Sequence, residues 1–144
     1  MSIEENKALS RRVIEEIFNK QNLALADELI DTNFVDHGIA GMGFKGPEGF
    51  KQFVTTFISG FPDIRLTIDD MVAEGDKVAM RLTARGTHKG DLMGIAPTGK
   101  QVTMSGILIQ RIAGNKMAEG WLVNDNLGMM QQLGVVPPMG QGGG

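Results

Sequence analysis

The sequence predicts an α+β fold in which helices pack on one face of a curved antiparallel sheet, and three observations predict it. Apolar residues recur at helical spacing through the first part of the chain. From Ile64 onward they recur at every second position, the period of a half-buried strand. Gly75-Asp76 and Gly114-Asn115 punctuate that second part as hairpin turns. Helices followed by a meander of strands is the α+β order. At 144 residues the chain fits one domain, expected over residues 1–136, followed by a disordered Pro/Gly-rich tail over 137–144.

The elements follow in order. Leu9, Val13, Ile14, Ile17 and Phe18 form one stripe of an amphipathic helix over about 4–20. Asn22 is placed to cap a short second helix that carries Leu23, Leu25, Leu29 and Ile30. Gly46-Pro47-Glu48 opens a third, because proline is tolerated in a first turn and glutamate suits a helix N-terminus. Its apolar positions, Phe50, Phe53, Val54, Phe57 and Ile58, give the clearest helical signal in the chain. Ile64, Leu66 and Ile68 begin the first strand, and Val78, Met80, Leu82 and Ala84 the second. His88 to Gly99 reads as loop, with Gly90, Gly94, Pro97 and Gly99. Val102 to Ile112 is a long strand, Met117 to Asp125 its return, and Leu127 to Leu133 a last helix stopped by Gly134.

Composition excludes several function classes. Lys plus Arg number 14 and Asp plus Glu 17, for a net charge of −3, which speaks against nucleic acid as a partner. With no cysteine there are no disulfides, thiol nucleophiles or cysteine metal sites. With no tyrosine there is no phenolic acid or oxyanion donor. The acidic start, Met1-Ser2-Ile3-Glu4-Glu5, leads into no apolar signal segment, and no apolar run is long enough to span a membrane. A soluble, cytoplasmic domain is expected. Ten methionines beside seven phenylalanines imply an interior that repacks readily.

Some residue patterns bear on chemistry. Gly41-Met42-Gly43-Phe44-Lys45-Gly46 matches G-x-G-x-x-G, but it lacks the βαβ surroundings that nucleotide binding needs and reads as a flexible loop. His37 and His88 are the only histidines. Their spacing with Asp36 does not establish a metal site, so pocket-lining or acid–base roles are preferred and no metal is expected. Asp69, Asp70, Glu74 and Asp76 surround a hairpin and read as solvated. The serines lack a nucleophile-elbow context. On the last strand Glu119, Trp121, Val123 and Asp125 share one face, and Ala118, Gly120, Leu122 and Asn124 the other. Asp125 lies at the strand's end, where it serves either as a pocket acid–base group or as a helix N-cap.

Three stretches together resemble the SnoaL-like polyketide cyclases, also called ester cyclases. They are Gly46-Pro47-Glu48-Gly49-Phe50, the loop Gly86-Thr87-His88-Lys89-Gly90 through Gly94-Ile95-Ala96-Pro97-Thr98-Gly99-Lys100, and the ending Gly114-Asn115-Lys116…Trp121…Gln132-Leu133-Gly134. The resemblance implies a nuclear-transport-factor-two-like cone, a strongly bent antiparallel sheet wrapped around N-terminal helices. It implies intramolecular aldol condensation on a hydrophobic carbonyl compound, with no metal or cofactor and one pocket aspartate as acid–base catalyst. Alignment on Trp121 and Gln132-Leu133-Gly134 puts Leu122 at that aspartate's position. Asp125, His88 or His37 would then carry the proton. The expected substrate wall is Phe18, Phe53, Phe57, Met80, Met93, Met104, Leu122 and Asn124. Two alternatives stand beside this reading: a non-catalytic pocket protein that binds a hydrophobic small molecule, and an epoxide hydrolase or isomerase on the same cone. A homodimer is expected through Trp121, Val123, Ile107 and Ile109 on the sheet's outer face.

Overall fold

The computed structural model describes residues 2–37 and 44–137. The first half of the G-x-G-x-x-G stretch, residues 41–43, and residues 138–144 of the C-terminal tail therefore lie outside the described residues. Helix α1 spans Ile3–Arg12 and starts with a capping box. The Ser2 hydroxyl accepts from the Glu5 N–H at 3.0 Å, and the Ser2 N–H donates to the Glu5 carboxylate at 3.2 Å. That contact holds the Glu5 pKa below the usual carboxylate range.

The expected single helix to residue 20 instead widens into a π-helix over Val13–Asn19. The Lys20 N–H donates to the Glu15 carbonyl, five residues back. The physical gain is at Asn19. Its amide donates to the Leu66 carbonyl at 2.9 Å and accepts from the Leu66 N–H at 2.7 Å, which ties the helix end to the sheet.

The second helix is broken as well. A 3-10 turn, Leu23–Leu25, leads into α2, Ala26–Leu29, and Asn22 makes no side-chain cap bond. Ile30 opens strand β1, Ile30–Asp36, rather than ending a helix. Beta-branched Ile30 and Thr32 suit this strand, and a register shift between Ile30 and Val35 hides its period of two. Helix α3, Gly46–Gly60, has Pro47 in its first turn and buries Phe50, Phe53, Val54 and Phe57.

Strands β2 (Arg65–Glu74), β3 (Lys77–Thr87), β4 (Gln101–Ala113) and β5 (Lys116–Asn124) form the antiparallel meander. Strand β1 adds in parallel to β5, giving the order β1-β5-β4-β3-β2. Helix α4, Asn126–Leu133, closes the chain against β4. The fold is thus α+β, a curved five-stranded open sheet with the helices gathered on its inner face. No helix among the described residues is long and apolar enough to cross a membrane.

Candidate functional site

Pleat parity decides what the inner face offers. Leu82 and Ala84 of β3, Met104, Gly106, Leu108 and Gln110 of β4, and Gly120, Leu122 and Asn124 of β5 all line one cavity. The helices close it with Val13, Ile14, Phe18, Phe50, Phe53 and Phe57. The phenylalanines interlock: Phe18 meets Phe53 edge-on at 6.2 Å between centroids, and Phe53 meets Phe57 edge-on at 5.3 Å. The cavity has a volume of about 70 Å³, well below the roughly 300–1,000 Å³ of most ligand pockets. A ligand larger than a few atoms must displace side chains, and Met104 and Met117 are the flexible ones on the wall.

Polar groups on this wall are few. Asp36 of β1 is a carboxylate facing the cavity and is 9% exposed. Gln110 is 1% exposed, and its Oε1 has no hydrogen-bond partner among the described residues. Asp36 pairs with Gly120 across β1 and β5, and Gly120 pairs with Gln110 across β5 and β4. The three form one row across the sheet, and the middle residue has no side chain. The Asn124 side-chain oxygen lies over Gly106, where a Cβ would overlap it.

The sequence-predicted residues are dispersed. Phe18, Phe53, Phe57, Met104, Leu122 and Asn124 line the cavity. Met80 is core, 1% exposed and outside the cavity wall, while Met93 is 54% exposed on the loop after β3, at a φ of +46°. Asp125 is the N-cap of α4. Its carboxylate accepts from the Gly128 N–H at 2.9 Å, and it does not line the cavity.

His88 is fully buried in that same loop, beside Phe61, with ring centroids 5.5 Å apart. Its Nδ1 accepts from the Thr98 N–H at 3.2 Å and lies 3.1 Å from the Thr98 hydroxyl. The loop is sealed onto the end of α3, where the Lys89 and Gly90 N–H groups both donate to the Gly60 carbonyl. His37 is on the outer face. Its Nε2 lies 2.9 Å from the Glu119 carboxylate, and its ring stacks on Trp121 at 5.2 Å. Arg111 donates to the other Glu119 oxygen at 2.6 Å. Arg111 first and His37 second hold the Glu119 pKa below the usual carboxylate range. No cluster of three metal-ligating side chains occurs among the described residues.

Sequence reasoning missed two wall groups. Asp36 reads in the sequence only as a metal ligand, because the register shift in β1 hides which of its positions face inward. Gln110 carried one available signal: it occupies an inward position in an otherwise apolar alternation with Leu108 and Ile112.

Comparison with known proteins places this geometry. The SnoaL-like polyketide cyclase family matches residues 8–133. No curated protein sequence matches the chain. Among solved structures it is similar to IdmH of Streptomyces antibioticus, a proposed polyketide cyclase, with 31% identity, 90% of this chain and 98% of that one covered, and a TM-score of 0.79. It is similar to AclR of Streptomyces galilaeus, a proposed hydroxylase, with 26% identity, 97% and 87% coverage, and a TM-score of 0.84. A proposed SnoaL-like polyketide cyclase from Jannaschia sp. CCS1 shares the fold at 21% identity, 95% and 97% coverage, and a TM-score of 0.86. With a family match over nearly the whole sequence and the same bent sheet around the same helices, the chain belongs to the SnoaL-like polyketide cyclase family.

Proposed function

We propose that the protein is a cofactor-free acid–base catalyst acting on a hydrophobic carbonyl compound bound in the cone, with Asp36 as the proton-carrying group. The supporting observation is that Asp36 is a carboxylate on the wall of an otherwise largely apolar cavity. In the intramolecular aldol addition that closes the ring, the carboxylate takes a proton from the carbon next to a carbonyl. The enolate carbon then bonds to a second carbonyl carbon, and the proton passes to the alkoxide oxygen. Nothing is consumed or released, so one carboxylate suffices. An apolar enclosure favours a flat hydrophobic substrate and keeps water from the enolate. In this reading Asp125, His88 and His37, the candidates named from sequence, serve structure instead: a helix cap, a loop anchor and an outer-face pair.

The test is incubation with aromatic polyketide methyl esters in deuterium oxide, following ring closure and exchange at the acidic carbon by NMR. Wild type exchanges and cyclises, and Asp36→Asn is slower by about 10²-fold or more. Equal rates in the two proteins would remove Asp36 from the mechanism.

A second reading is a ligand-binding protein without turnover. It is favoured by Leu122, which lines the cavity at the position where the family resemblance expects an aspartate. On this reading wild type binds but never exchanges, and Leu122→Asp gains exchange. A Leu122→Asp protein that folds, binds and stays inert would count against it.

We further propose a homodimer through the outer sheet face. Ile107 pairs with Val123 and Ile109 with Trp121 there, and Ile107 and Val123 are 48% and 73% exposed.

A further inference from the structure

We propose that Gln110 is a ligand-recognition residue, and that its Oε1 accepts a hydrogen bond from a hydroxyl on an aromatic or enolic ligand. The inference rests on the cone cavity being a ligand site, as proposed above, and adds which chemical group that ligand must carry.

Three observations lead to it. Gln110 is almost wholly buried, and its Oε1 has no partner among the described residues. A buried acceptor left unmade is costly, so such groups are rare unless something else completes them. Gln110 also lines the cavity rather than the packed core. Finally, its neighbour in the row is Gly120, at which a Cβ would find nothing nearer than Phe34 at 3.7 Å and Leu108 at 4.0 Å. The glycine leaves unfilled the space a side chain would take at the row position next to the amide, a notch bordered by Phe34 and Leu108. Oε1 itself is buried, so a ligand hydroxyl reaches it as side chains of the wall move aside. Phe34 and Leu108, which border that notch, suit the ring that bears the hydroxyl. An apolar ligand without a donor would fill the same space and leave Oε1 unpaired.

The probe pair is phenol and toluene, which match in shape and differ by a hydroxyl for a methyl. Both are titrated by ¹H–¹⁵N NMR into the whole protein, wild type and Gln110→Met. The expected result is that both bind wild type and that phenol alone shifts the Gln110 side-chain amide resonance. The phenol-to-toluene affinity ratio falls about tenfold in Gln110→Met. The amide shift is read in wild type, so it stands whatever the variant's stability. An unchanged ratio, or no phenol-specific amide shift, overturns the inference while toluene binding leaves the cavity as a ligand site. Binding of neither probe overturns both. Phenol selectivity in a protein that exchanges no carbon-bound proton sustains Gln110 and removes the catalytic reading.

Discussion

Asp36 and Gln110 stand two strands apart on one row of the sheet, with Gly120 between them. The glycine sets both the shape of the notch and its vulnerability. An alanine there meets only ordinary van der Waals neighbours. Gly120→Ala is therefore expected to hold or raise stability by about 0.5–1 kcal/mol, as strand alanine generally does over glycine. It is also expected to weaken ligand binding several-fold by filling the notch, which a thermal melt and a titration separate. Gly90 is the opposite case. A Cβ there would overlap the Ser59 carbonyl oxygen, so Gly90→Ala must push the loop off the end of α3. Loss of about 2–3 kcal/mol in denaturant unfolding is expected. The histidines and Asp125 drew attention in the sequence because their chemistry is visible in their names. Gln110 belongs to no motif and Asp36 reads in the sequence only beside the histidines as a metal ligand, because what distinguishes the two is where they point.

At the scale of elements, helix ends and strand ends carry the polar contacts. Asp125→Ala should cost about 1 kcal/mol through loss of the α4 cap, with Asp125→Ser close to wild type and proton exchange unchanged in both. Asp63 does comparable work where the chain enters β2. The Thr87 N–H and hydroxyl donate to its carboxylate at 2.7 and 2.8 Å, and these bonds hold its pKa below the ordinary 3.8. A depressed carboxylate stabilises above the unfolded value and loses that contribution as pH falls through the folded one. Urea midpoints should therefore fall below about pH 4, and Asp63→Asn should flatten that part of the curve. Asn19 is the corresponding tie for the π-helix. Asn19→Ala breaks both bonds to the Leu66 backbone and should lower stability by about 1–2 kcal/mol. The meander, α3 and α4 were legible because their periods run unbroken. The π-helix and β1 were not, since one is a shift in hydrogen-bond register and the other a strand whose alternation a bulge interrupts.

For the whole molecule, the sheet has two faces with different destinies. The inner one is covered by helices and holds the cavity. The outer one carries an apolar band, with Val72 opposite Ala79, Ala79 opposite Ile109, and Ile109 opposite Trp121. Charged pairs flank it, among them Arg111 with Glu119. If two copies pair through this band, sedimentation gives twice the chain mass, and Val123→Lys gives a monomer with an intact cavity. A monomeric wild type across concentrations would reject the pairing.

The sequence by itself determined the α+β class, most of the strand and helix positions, the family, and the apolar character of the interior. Those follow from periodicity, turn chemistry and motifs, which are local along the chain. Only the tertiary structure decided which polar groups reach the cavity. That depends on β1 lying beside β5, on the pleat parity at Asp36, Gly120 and Gln110, and on the cap that holds Asp125 at the start of α4. A side chain's destination is fixed by pairings between distant segments, and a one-residue change in strand register sends it to the other face.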